Sequence, residues 1–176
     1  MHRRAERLQP FDIVLGLRLL RPFRTLAEVA DELNVVQSQI HYSLRRLEVC
    51  GLTRPGKHEV NRHNLAEFIE HGIRYAFPAK VGSETLGVPT AHSAAILSKE
   101  IDAGDAFVWA APNSTQTIRG YEIAPLYPGA TKLRETSPAT YQLVALVDSV
   151  RAGQARERRL ALEHLHKAFA ESHAAA

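Results

Sequence analysis

The stretch VADELNVVQSQIHYSLRRLEVCGL, residues 29–52, decides how this chain is read. It holds two helical patterns with only a few residues between them. The first closes on Leu33, and Asn34 follows where a left-handed backbone is wanted, a conformation Asn tolerates better than most residues other than glycine. The second runs from about Gln37 to Cys50 and stops at Gly51, well suited to the position just past a helix end. Ile40, Leu44 and Leu47 are spaced four and three apart, so they form one buried stripe. The outer face carries Gln37, Ser38, Gln39, His41, Tyr42, Arg45 and Arg46. The first carboxylate, Glu48, comes a turn from the end.

Upstream, apolar positions 11, 14, 15, 17, 19 and 20 predict a helix reaching back to about Arg7 and closed by Pro22. Thr25 with Glu28 three residues later has the spacing of a capping box and opens the helix that ends at Leu33. Downstream, Pro55-Gly56 marks a turn between two short runs of LTRPGKHEVNRHN, which predicts a small hairpin. Asn64 is expected to cap a helix, LAEFIEHGIRYAF, with Leu65, Phe68, Ile69 and Ile73 on one face, ending before Pro78.

From Pro78 the composition changes. AKVGSETLGVPTAHSAA is rich in Gly, Ser, Thr and Pro and reads as a loop or linker, with Gly82, Gly87 and Pro89 allowing movement. Residues 106–112 and 117–123 flank NSTQ and read as the two strands of a hairpin. Prolines at 125, 128 and 138 mark an irregular connection. The end is helical, from Thr140 to Ala152 and, past Gly153, from about Gln154 to Ser172. Three segments result: 1–78, 79–138 and 139–176.

Composition sets the bounds. An apolar content of 45% in 176 residues can fill a real core. No apolar run is long enough to span a bilayer. The opening MHRRAERLQP is charged and lacks the apolar stretch of a signal peptide, so a cytoplasmic location is the default expectation. Cys50 is the single cysteine, which excludes an internal disulfide and a Cys-based zinc cluster and reads as a small core residue. Residues 1–80 hold 13 Lys+Arg against 9 Asp+Glu, and residues 81–176 hold 9 against 10, so the basic surplus of +4 sits in the first part. That asymmetry suggests an anionic partner there.

Helix, short turn, helix and a hairpin with a basic tip resemble a winged helix-turn-helix. Ala30, Leu33, Val35, Ile40, Leu44, Leu47, Gly51 and Leu52 fall where that superfamily places small, apolar and turn residues. RRLEVCGLTRPG resembles the recognition-helix end and wing entry of bacterial regulators of the MarR and IclR kinds. The resemblance covers about residues 10–75. It departs at Asn34, where a turn glycine is usual, and at Val36, where a Ser or Thr normally caps the recognition helix. The expected fold is mainly α with a small β component (α+β): an N-terminal winged helix-turn-helix, a small β-hairpin subdomain and C-terminal helices.

The resemblance implies a sequence-specific double-stranded DNA-binding regulator, a bacterial repressor acting as a homodimer. Gln pairs bidentately with adenine and Arg with guanine, so the second helix carries major-groove chemistry. In the hairpin Arg54, Lys57, His58 and Arg62 would supply phosphate contacts or a minor-groove probe. Arg3, Arg4 and Arg7 form either a basic arm or a solubilising end. The alternatives are a winged-helix protein-protein adaptor, or a regulator encoded beside toxin or phage-defence genes that binds a protein partner.

An enzyme is not expected. His71 and His92 lack paired metal spacing, and His164 and His166, two apart, lie on different helix faces. Ser38 and Ser93 lack a nucleophile-elbow context, and no glycine-rich phosphate loop follows a strand. Neither a cofactor nor a metal is expected. Leu143, Leu146, Val147 and Val150, with Leu160, Leu162, Leu165 and Phe169, offer either a pairing seam or the core of a monomer. Residues 79–136, with Trp109, Tyr121 and Tyr127, are read as a sensor pocket for a small ligand, a protein contact, or a supporting core.

Overall fold

A computed structural model describes residues 7–101 and 104–174. Arg3 and Arg4 of the expected basic arm lie outside the described residues; Arg7 is exposed. The described residues are mixed α and β, with helices predominating and three strands in a small sheet.

Helix α1 (Pro10–Arg18) begins three residues later than expected, because Gln9 is its cap and Pro10 takes the first helical position. Every residue from Phe11 to Leu20 is buried, so α1 is a central helix and not a surface one. Helix α2 (Leu26–Glu32) starts as predicted, with Thr25 Oγ1 accepting from the Glu28 N–H at 3.1 Å. The Glu28 carboxylate reaches back one residue further than a capping box requires, to the Arg24 N–H. Helix α3 (Gln37–Val49) follows, and Val36 caps it without a side-chain bond yet does not displace its start.

Both helices end in the same way. After α2, Asn34 N–H bonds Asp31 C=O and Val35 N–H bonds Ala30 C=O; after α3, Gly51 and Leu52 repeat this pattern onto Glu48 and Leu47. This Schellman geometry needs a left-handed residue at its centre, and Asn34 (φ 55°) and Gly51 (φ 70°) supply it. The first stop sets the turn between α2 and α3, and the second sets the exit of the chain from α3.

Beyond α3 the expected hairpin is reduced to one bridge, Thr53 to Val60, with Arg54 N–H bonding Glu59 C=O at 2.8 Å around Pro55-Gly56. Helix α4 (Arg62–Glu67) is capped by Asn61, not by Asn64. Asn64 sits inside the first turn, and its side chain donates to Gly51 C=O at 2.8 Å, tying α4 to the end of α3. A π-helical turn (Phe68–Gly72) and α5 (Ile73–Ala76) continue the same rod, burying Leu65, Ile69 and Ile73.

The stretch read as a linker is instead a ten-residue strand, β1 (Val81–Thr90). Its Gly87 does not serve flexibility: a Cβ there would lie 2.1 Å from the Trp109 carbonyl oxygen, so the residue permits close strand approach. Strands β2 (Phe107–Ala110) and β3 (Ile118–Ile123) are also not the two arms of a hairpin. Both run antiparallel to β1, β2 on residues 87–90 and β3 mainly on residues 81–87, and so lie parallel to each other with Phe107 opposite Tyr121. The three close into a small barrel. A 3-10 turn (Pro128–Lys132) and α6 (Leu133–Thr136) order the proline-rich connection.

Helices α7 (Pro138–Ala152) and α8 (Ala155–Ala174) complete the fold, separated at the extended Gly153. Helix α7 is buried on almost every side. The residues offered as a pairing seam, Leu143, Leu146, Val147 and Val150, are covered by the chain itself, as are Leu165 and Phe169 of α8, while Leu160 and Leu162 are half-buried. One apolar core runs from Leu15 and Leu17 in α1 through Trp109 in β2 to Val144 and Leu165, across all three expected segments.

Candidate nucleic-acid interface

The outer face of α3 emerges as the burial pattern dictates. Ile40, Ser43, Leu44 and Leu47 are buried, which turns positions 37, 38, 41, 42 and 45 outward. Gln37, Ser38, His41, Tyr42 and Arg45 are exposed, and Gln39 is half-buried. Five of the seven expected helix residues thus share one solvent face.

Arg46 does not belong to it. Its Nε lies 2.8 Å from Asp12 Oδ2 and its Nη2 2.6 Å from Oδ1, a bidentate pair on a carboxylate with no exposure. Ser43 Oγ donates to the same Oδ1 at 2.6 Å, and Asp12 Oδ2 accepts the Gln9 N–H at 2.7 Å. One buried carboxylate therefore caps α1 and locks α3 across it. A buried charge persists only with such complete partnering. Sequence reasoning placed Arg46 on the recognition helix, with pairing to Glu48 or another carboxylate as the equal alternative; the carboxylate is Asp12, and the pair orients the helix that bears the other residues.

A second pair sets α2. Arg18 Nε and Nη2 lie 2.5 and 2.9 Å from the Glu32 carboxylate, which also accepts from Ser137 Oγ at 2.9 Å. The Arg18 hydrogen bond holds the Glu32 carboxyl below the ordinary glutamate value, against the opposing effect of burial. This joins α1, α2 and the start of α7 around the helix pair.

The turn at residues 53–60 brings its own cations to α3. A cleft of about 380 Å³ is lined by His41 and Arg45 from the helix and by Lys57 and His58 from the turn, with Glu48 as its one carboxylate. Arg54 is exposed and partly neutralised by Glu59 at 3.4 Å. Arg62, expected with the hairpin cations, is half-buried in the first turn of α4 and lines a different groove, on the side of α7 and α8. Cys50, expected in the core, is exposed because it ends the outward side of the last α3 turn.

Away from this face lies a polar cluster that sequence reasoning missed. Asp148, fully buried in α7, accepts from Trp109 Nε1 at 2.7 Å, Thr90 Oγ1 at 2.8 Å and Arg151 Nη1 at 2.5 Å. Burial pushes its carboxyl up, opposed by the Arg151 cation and the two other donors. Arg151 Nε further donates to Phe77 C=O at 2.8 Å, and Tyr141 Oη donates to Pro89 C=O at 2.6 Å. These bonds weld the barrel to α7. They leave the Gly82–Pro89 stretch no part as a hinge. Only the Asp148–Arg151 spacing of three residues was visible as a helical pair; its partners come from distant strands.

No helix among the described residues is long and apolar enough to cross a membrane. No protein-family model, curated protein or solved structure matches this chain.

Proposed function

We propose that this chain is a sequence-specific double-stranded DNA-binding regulator built on a winged helix-turn-helix, with α3 entering the major groove. The observation that carries the reading is the α3 face: Gln37, Ser38, His41, Tyr42 and Arg45 are exposed together and adjoin Lys57 and His58. Amide, hydroxyl and guanidinium groups at those positions match base-edge donors and acceptors, and the turn cations match backbone phosphate. Gln37 and Ser38, at the N-terminal end, would lie deepest, with Gln39 at the margin. One such module contacts few base pairs, so a homodimeric repressor on a two-fold operator is the form proposed.

The test is a fluorescence titration of the full chain against the DNA upstream of its own gene and against random duplex, at several salt concentrations. Tighter binding to the first, falling steeply with salt, is expected. Equal affinity for both duplexes would sink the specific-regulator reading.

A protein-binding adaptor is the second reading, and one observation favours it. Val36, Tyr42 and Val49 are 68%, 66% and 66% exposed, so α3 and its entry also present apolar groups to solvent. An adaptor binds no duplex even at low salt, which is the outcome that separates the two.

A further inference from the structure

Between the end of α1, the 53–60 turn and the outer sides of α7 and α8 lies a groove of about 940 Å³. Its floor is apolar, made by Leu20, Phe23, Val60, Ile96, Leu143 and Leu146. Small-molecule sites are concave, mostly apolar and about 300–1,000 Å³ in volume. The groove fits that description in size and lining.

Its rim is charged unevenly. Arg21 and Lys167 stand at it from two separate elements, against the carboxylates of Glu59 and Glu171. Glu59 already faces Arg54 at 3.4 Å, and the rim residue His164 is bound to Glu100 at 2.7 Å. Lys167 forms no ion pair among the described residues, and Arg21 acts only at a distance on Glu32, whose carboxylate Arg18 already holds by two hydrogen bonds. An apolar floor under surplus cations is complementary to a molecule with an apolar body and an anionic head.

We propose that this groove binds an amphipathic carboxylic acid of the size of a medium-chain fatty acid, its hydrocarbon on the Leu143–Leu146 floor and its carboxylate at Arg21 and Lys167. The groove also communicates with the α3 face, because His58 lines both it and the cleft beside Arg45. The turn that borders α3 is therefore also one wall of the groove. This coupling rests on the DNA-binding reading; the site does not. Linkage makes the coupling reciprocal, so DNA changes affinity for the acid by the factor the acid changes affinity for DNA.

The full chain should be titrated calorimetrically with decanoate below its critical micelle concentration, with decanol and decylamine as neutral and cationic controls. One-to-one binding of decanoate, about tenfold tighter than decanol and with no binding of decylamine, is expected from the charge-assisted contacts. Lys167→Gln and Arg21→Gln, both at exposed positions, should each weaken decanoate about three- to tenfold and leave decanol unchanged. Failure of decanoate to bind, equal binding of decanol, or indifference to both substitutions overturns the proposal. So does self-association in sedimentation that Lys167→Glu abolishes while decanoate has no effect, since the occupant is then a second copy. Decanoate that binds without altering DNA affinity removes the coupling alone, and a chain that binds decanoate but no duplex removes the DNA reading alone.

Discussion

Arg46 of α3 holds Asp12 of α1 by two hydrogen bonds, at 2.8 and 2.6 Å, across a sequence separation of 34 residues. The carboxylate has no exposure and the guanidinium little, so the pair is a fixed joint between the helix that forms the core and the helix that faces out. Removing one partner strands the other charge in the interior. Arg46→Ala should destabilise the chain by about 3–5 kcal/mol, measured by urea unfolding. The double variant Asp12→Ala/Arg46→Ala should cost less than the sum of the two single changes. Additive costs would show that the two side chains do not act as a pair.

Arg45, one residue earlier, is expected to behave in the opposite way. It is exposed, so Arg45→Ala should cost far less stability than Arg46→Ala, at most about 1 kcal/mol. Under the DNA-binding proposal the same change should weaken the specific duplex by about 1–3 kcal/mol, whereas Lys57→Ala should weaken all duplexes alike and reduce the salt slope by about one. Arg54→Ala should matter less than Lys57→Ala, because Glu59 already offsets its charge. A larger stability loss at Arg45 than at Arg46 would reverse the assignment of the two arginines.

That contrast shows what was legible in the sequence. Helical spacing alone fixed the Ile40, Leu44 and Leu47 stripe, and with it the outward turn of Gln37, Ser38, His41, Tyr42 and Arg45. Asn34 and Gly51 announced both helix stops through their tolerance of positive φ. Arg46 borders the stripe, three residues after buried Ser43, but its partner lies on another helix and no local pattern points to Asp12. The same limit explains β1. Gly82, Gly87 and Pro89 have the composition of a loop, and only the approach of Trp109 from β2 makes Gly87 a strand residue. Asn61 and Asn64 are chemically equal as caps, and the bond from Asn64 to Gly51 decided between them. Long-range pairing, not local propensity, carried the missing information.

Glu32 predicts an acid-sensitive joint. Its folded pKa is lowered, chiefly by the Arg18 hydrogen bond, so its contribution is present above the ordinary glutamate pKa. That contribution is lost as pH falls through the lower folded value. Stability measured by urea between neutral and acid pH should therefore decline on the acid side, and Glu32→Gln should flatten that part of the slope. An unchanged acid slope in Glu32→Gln would assign the decline to other carboxylates. Ser137→Ala should weaken the same contribution, since its hydroxyl donates to the Glu32 carboxylate.

Trp109, the single tryptophan, is fully buried, and its indole N–H is bonded to Asp148 of α7. Thr90 of β1 shares that carboxylate, so the barrel is held to α7 from two strands. Helix α7 in turn contributes to the core that contains Leu15 and Leu17 of α1. A subdomain swinging on a Gly82–Pro89 hinge would unfold apart from the helices; a barrel joined through Asp148 cannot separate before α7 does. Urea unfolding followed by Trp109 emission and by helical circular dichroism should therefore give coincident transitions, as expected of one cooperative unit. Asp148→Ala should shift both midpoints downward together, because it leaves the Trp109 N–H and the Arg151 cation without their shared acceptor. An emission midpoint well below the dichroism midpoint in the unsubstituted chain would mean that the barrel opens on its own, and the Asp148 cluster would then not be the weld proposed for it.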